Sequence, residues 1–150
     1  MMEPRPILIK DQIAAMKATW PALKPRQQCF ESARWVGQLR PQFQRYKVSI
    51  DYRLFDVPNV RVLTPELIRL ADNEEGQLPH VYPPANDPTL CLYDPNTGEW
   101  DGSMLLSQTI VLWTLDWLSC YELWLMTGRW TGGGRHPTPH SEGTDLEEVQ

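Results

Sequence analysis

Cysteine is scarce and odd in number: three residues, Cys29, Cys91 and Cys120, lie far apart in the chain. Met1 is not followed by a basic and apolar leader, so a disulfide framework is not expected and the cytoplasm is the default compartment. Histidine is as rare, with three residues. His136 and His140 are four positions apart, but Pro137 and Pro139 exclude the helix that would turn both rings toward one metal, so no zinc centre is expected. Excess positive charge is missing too. A formal net charge of -5 argues against a nucleic-acid binder that works by neutralising phosphates over the whole domain. No apolar run is long and unbroken: Gln108, Asp116 and Glu122 interrupt the most apolar stretch, which argues against a membrane span. The triple glycine at 132–134 lacks the Gly-Lys-Ser/Thr ending of a phosphate loop and follows a helix instead of preceding one, so it reads as a hinge. No internal repeat is visible.

What remains is an average globular composition over 150 residues, 41% hydrophobic and 22% charged, enough for one domain with a sizeable core. The charge is split along the chain. Residues 1–70 carry 12 Lys/Arg against 6 Asp/Glu, and residues 71–150 carry 2 against 13, which points to a basic docking surface in the first half.

Ile13, Met16 and Trp20 are helically spaced, with Asp11 available as an N-cap and Pro21 as a stop, and predict a short amphipathic helix over 11–20. A strand is expected over Cys29 to Leu39. The clearest strand is Tyr46 to Leu54, where Tyr46, Val48, Ile50, Tyr52 and Leu54 share one face and Lys47, Ser49, Asp51 and Arg53 the other. A turn through Asp56, Pro58 and Asn59 leads to a third strand, Val60 to Thr64, ended by Pro65. Residues 71–102 are rich in Pro, Asn, Asp and Gly and read as a long surface loop with one or two short bridges of regular pairing. Ser103 to Thr127 is the dominant helix, with Leu106, Ile110, Trp113, Trp117, Tyr121 and Trp124 as its apolar stripe and Gly128 as its stop.

The thiols differ in setting. Cys120 lies beside the stripe of the long helix and is expected to be buried and inert, as is Cys29 at a strand start. Cys91 sits in a loop between Pro88 and Pro95, which is expected to hold its thiol near the surface, where thiolate chemistry is possible. A base for a hydrolase would have to be a histidine, and His80, eleven residues upstream, is the one plausibly near.

The order of elements, with Val60-Arg61-Val62-Leu63-Thr64-Pro65, Leu78-Pro79-His80-Val81-Tyr82, Leu90-Cys91-Leu92-Tyr93, Trp100 and a long helix, resembles the ubiquitin-conjugating-enzyme fold over residues 10–137. His-Val-Tyr, Leu-Cys-Leu-Tyr, Trp117-Leu118, Tyr121-Glu122-Leu123-Trp124 and Trp130-Thr131-Gly132-Gly133-Gly134-Arg135-His136-Pro137 resemble its prokaryotic branch. Members of that branch occur in bacterial anti-phage operons with a cyclic-oligonucleotide synthase (CBASS), fused to an activating domain or alone. This chain, with no room for an adenylating domain, resembles the stand-alone form.

The resemblance implies an α+β fold: an N-terminal helix, an antiparallel strand meander, an active-site loop and a long C-terminal helix. It implies a conjugating domain over 1–137 and a flexible tail over 138–150. It also implies that Cys91 takes an acyl group as a thioester from the C-terminus of a modifier and passes it to an amine, with no cofactor. His80 aligns with the histidine that shapes the family's cysteine loop and is expected to hold that loop by hydrogen bonds. Val81 and Tyr82 replace the Pro-Asn that supplies the family's oxyanion donor, so Asn86 or loop amides are the expected substitutes, with Asp94 as loop support. Implied partners are a cGAS-like cyclic-oligonucleotide synthase or a ubiquitin-like modifier ending in glycine, and a separate activating enzyme. Docking of the activating partner falls to the first helix and nearby loops, where Lys10, Lys17, Lys24 and Arg26 lie. Two other readings stand beside this one: a non-catalytic binding module of the same fold, and a cysteine hydrolase using Cys91 and His80.

Overall fold

The structure is a computed structural model that describes residues 5–132; the glycine hinge beyond Gly132, His136, His140 and the 138–150 tail lie outside the described residues. The first helix, α1 (Ile9–Thr19), buries Ile9, Gln12 and Met16. It starts two residues earlier than its apolar spacing indicated, and its N-cap is Leu8, which offers no side-chain cap. Asp11 instead sits in the first turn, where a carboxylate still suits the positive end of the helix dipole.

Three antiparallel strands and a short edge follow. β1 (Lys24–Arg26) lies within the proline-punctuated stretch that gave no strand signal in the sequence. It survives with Pro25 because it is the edge of the sheet, where a missing N–H breaks no interior ladder. β2 (Ser32–Leu39) pairs with β3 (Tyr46–Arg53), and β3 with β4 (Asn59–Thr64), in the order β1-β2-β3-β4. The inward face read in β3 is observed, with Tyr46, Val48, Ile50 and Tyr52 buried, but Ser49, read onto the wet face, is buried as well, and Leu54 lies half-buried beyond the end of the strand. The strand expected from Cys29 begins only at Ser32, and Cys29 is exposed in the connection before it. Gly37 of β2 lies beneath the chain that leaves α1, where an added Cβ would stand 2.2 Å from the Ala22 carbonyl oxygen.

The region 71–102 does hold a short pairing: β5 (Val81–Tyr82) with β6 (Thr89–Leu90), in register Val81↔Leu90 and Tyr82↔Thr89. The second helix, α2 (Ile110–Thr127), begins later than its apolar stripe indicated. Leu106–Gln108 form a 3-10 turn, and Thr109 breaks the path. The Thr109 hydroxyl donates to the Leu105 carbonyl at 2.8 Å and accepts the Trp100 indole N–H at 3.0 Å. Gly128, at φ 77°, ends α2 as a left-handed cap, its N–H on the Trp124 carbonyl. No helix among the described residues is long and apolar enough to cross a membrane.

Polar side chains fasten these layers together. Gln12, 1% exposed, donates to the Met104 carbonyl and accepts from the Leu106 N–H, both at 3.0 Å, and the Trp20 indole donates to the Ser107 carbonyl at 2.8 Å. Both tie α1 to the approach of α2. Glu122 is buried on α2 and its carboxylate accepts four hydrogen bonds, from the N–H groups of Gln42, Phe43 and Gln44 and from the Tyr46 hydroxyl, at 3.0 to 3.2 Å. One of the three residues that interrupt the apolar run is thus the anchor of the β2–β3 connection.

Glu122→Gln replaces acceptor capacity with an N–H pair that faces donors, and is expected to cost about 2–3 kcal/mol, read as a lower denaturant midpoint at unchanged slope. An unchanged midpoint removes the clamp. Gly37→Ala forces the Ala22–Leu23 backbone off β2 and is expected to cost roughly 1–3 kcal/mol, seen as a lower melting temperature.

Candidate functional site

Cys91 is the residue immediately after β6, and its N–H donates to the His80 carbonyl at 2.9 Å, one step beyond the Val81↔Leu90 pair. The same carbonyl accepts the Trp117 indole N–H at 2.9 Å. His80 itself has φ 59°, a left-handed conformation that costs a non-glycine residue on the order of 1–2 kcal/mol and in which histidine is enriched. Its ring is buried against Trp130, with centroids 4.8 Å apart. Trp130 in turn packs on Trp117 at 5.0 Å, and Trp117 stacks on Tyr121 at 5.6 Å. The aromatic stripe of α2 therefore continues, through His80, into the backbone that carries the cysteine.

Around the sulfur the structure differs from expectation. Cys91 is 0% exposed, not near the surface: the turn end of the β5–β6 hairpin, residues 83–87, is exposed, while Cys91 lies at the open end, where Leu78, His80 and Leu90 are buried too. Its thiol donates to the Tyr82 hydroxyl at 3.4 Å and lies 3.9 Å from the Tyr93 carbonyl, to which the Tyr82 hydroxyl also donates at 3.5 Å. Burial, and next the hydrogen bond with Cys91, hold the Tyr82 phenol well above its ordinary range. Burial, and next the negative charge that Cys91 carries when ionised, push the Tyr93 phenol up to about 12. Both phenols are neutral across the working range of pH. Downstream, Asp94 caps a 3-10 turn over Pro95–Thr97 by accepting the Asn96 N–H at 2.9 Å, and its own N–H reaches Glu99 at 3.3 Å. Asp94 thus braces the loop that leaves Cys91.

Asn86 is exposed and lines a separate groove with Val62, Leu63, Leu67 and Arg69, which does not include Cys91. Tyr82 is the group that sequence reasoning passed over. It was legible only as a replacement in the His-Val-Tyr triplet, and its reach to the sulfur depends on the hairpin register. Lys10, Lys17, Lys24 and Arg26 are all exposed. Lys10 also rims an apolar groove of about 340 Å³ between α1 and the β1–β2 connection, shared with Leu8, Ile13, Cys29 and Phe30, the last 83% exposed.

The other two thiols separate by environment. Cys120 is buried, and burial followed by the Asp116 charge pushes it up to about 11, as expected for an inert core thiol. Cys29 was expected to be buried and is exposed. A hydrogen bond with the Ser32 hydroxyl, at 3.2 Å, followed by backbone hydrogen bonds, lowers it from the usual thiol range. A lower value means more thiolate at a given pH, and the thiolate is what alkylates. Iodoacetamide at pH 7.5 is therefore expected to label Cys29 well ahead of Cys120, with the Cys120 rate still climbing above pH 9. Peptide mapping that finds both labelled equally fast would contradict these assignments.

No curated protein sequence matches the chain. The profile of the family described as type II CBASS E2 protein matches residues 12–137, from α1 through the Cys91 hairpin and beyond α2. The chain belongs to the type II CBASS E2 proteins, a family with a conjugating-like role in CBASS anti-phage defence.

Proposed function

We propose that the chain is a cysteine-dependent acyl carrier of the ubiquitin-conjugating type: Cys91 receives the C-terminal acyl group of a modifier as a thioester and passes it to an amine, with a cGAS-like synthase of the same defence system as acceptor. The observation that carries this reading is the placement of Cys91, whose backbone is pinned by the His80 carbonyl and whose sulfur has a neutral phenol in contact. A thiolate attacks well and leaves well, so a thioester keeps the acyl bond reactive toward lysine. His80 acts in this reading as the support of the hairpin through its carbonyl and its packed ring.

A second reading rests on one observation. Cys91 has no exposed surface, as a structural thiol in a non-catalytic binding module of this fold would. The two readings separate on whether the sulfur takes an acyl group at all.

Incubated with the 2-mercaptoethanesulfonate thioester of N-acetylglycylglycine, a Cys29→Ser background is expected to gain the acyl mass on Cys91 and lose it to dithiothreitol. Cys91→Ala is expected to gain none while remaining folded, at a cost on the order of 1 kcal/mol for the buried sulfur. An acyl group found on Cys120, or none in the presence of intact Cys91, sinks the carrier reading in favour of the binding module.

The basic excess of α1 and β1 supports docking of an acidic activating partner there, an attraction that acts on association rate and is screened by salt. Lys17→Glu with Lys24→Glu is expected to slow partner-dependent loading several-fold at low ionic strength and to converge with wild type near roughly 0.5 M salt. Loading from the small thioester, which needs no docking, is expected to be unchanged. Equal partner-dependent rates at low salt would leave these lysines with solvation alone.

A further inference from the structure

We infer that the Tyr82 hydroxyl is the oxyanion donor of the transfer reaction, a step that rests on the carrier reading above. When an amine attacks the acyl group on Cys91, the C–N bond forms and the carbonyl electron pair moves onto oxygen. As that pair returns, the C–S bond breaks and its electrons leave on Sγ, while the amine proton passes to water. The charge that needs a donor therefore develops on the oxygen attached to the carbon that Sγ carries, two bonds from the sulfur.

Tyr82 is placed for that oxygen. Its Oη is 3.4 Å from Sγ, near enough that the oxygen of an acyl group on the sulfur, when turned toward the hydroxyl, can lie within about 3 Å of it, the range an oxyanion donor requires. The proton is available: the hydroxyl now donates to the Tyr93 carbonyl at 3.5 Å, a long and weak bond that costs little to exchange for a charged acceptor. Accepting the thiol proton occupies a lone pair and not the O–H of Tyr82, so the donor is present both before and after acylation. Burial keeps the phenol protonated, so it remains a donor throughout.

Position is enforced from both sides. Tyr82 pairs with Thr89 across the hairpin, and two steps along the hairpin the His80 carbonyl holds the Cys91 N–H. The donor thus sits on β5 and the nucleophile one residue past the end of β6, with their separation set by the register of the ladder. Asn86, on the connection between those strands, lines another groove.

The test uses the full chain in the Cys29→Ser background, loaded on Cys91 with the N-acetylglycylglycine thioester, freed of donor, and discharged with hydroxylamine. Tyr82→Phe is expected to slow discharge about a hundredfold with an unchanged melting temperature. Alkylation of unloaded Cys91 by iodoacetamide, a displacement that forms no oxyanion, is expected to stay within a few-fold of wild type. Discharge of Tyr82→Phe at the wild-type rate overturns the assignment while leaving the carrier reading intact. Discharge and alkylation slowed alike overturn it in favour of packing. Failure of the wild-type chain to load at all overturns the carrier reading and this inference together.

Discussion

One carbonyl oxygen organises the site. The His80 oxygen accepts two hydrogen bonds, the Cys91 N–H and the Trp117 indole N–H, each at 2.9 Å. The first sets where the cysteine sits on its hairpin, and the second sets where the hairpin sits on α2. For one oxygen to face both donors, His80 adopts φ 59°, a strained conformation that persists only where its surroundings over-determine it. Here they do: the ladder holds one side, the indole the other, and Trp130 covers the ring. Both lone pairs of a buried carbonyl are used, which makes the connection stiffer than either bond alone.

That connection explains why α2 is so rich in large aromatic residues. A two-residue hairpin has almost no core of its own and is not stable in isolation. Trp117, Tyr121 and Trp124 are buried, and together with Trp130 they extend the helix surface far enough to reach a backbone segment that sequence-local forces would leave as loop. Glu122 makes the complementary connection on the other side, holding the β2–β3 turn with four hydrogen bonds. The helix is thereby fixed to the sheet and to the cysteine hairpin at once, and a displacement of either is transmitted to the other through rigid, packed side chains.

What was legible in the sequence follows the range of the interaction that decides it. The inward face of β3 and the Gly128 stop depend on local periodicity and backbone freedom, and both read through; the burial of Ser49 on the other face of β3 did not. Cys91 was legible as the singular thiol, but not its burial, which depends on how α2 meets a hairpin separated from it by loop. β1 was hidden because Pro25 is acceptable only on an edge, and edge status is a property of the whole sheet. Asp11 was an ordinary capping candidate displaced when the helix took up Ile9 and Lys10, since burying Ile9 outweighs a side-chain cap worth about 1 kcal/mol. Cys29 was misjudged because the strand begins three residues later, leaving it in a connection.

The burial of Cys91 and the neutrality of its neighbours bear on the same chemical point. In the proposed transfer the sulfur alternates between a neutral thioester and a short-lived anionic adduct, so its surroundings must tolerate an uncharged resting group and still answer a charge that appears on one oxygen. Surroundings of low polarity suit the thioester and limit the water that would hydrolyse it. In those surroundings one fixed hydroxyl dipole stabilises a new charge far better than it would in water, because no solvent competes for it and nothing needs to reorient. A charged donor such as lysine would be costly to bury through the long loaded state. A phenol held neutral by burial, on a strand whose register is fixed by the His80 carbonyl, meets both requirements. The phenol reaches across the ladder to a buried sulfur 3.4 Å away, which a shorter amide side chain at the same register would not.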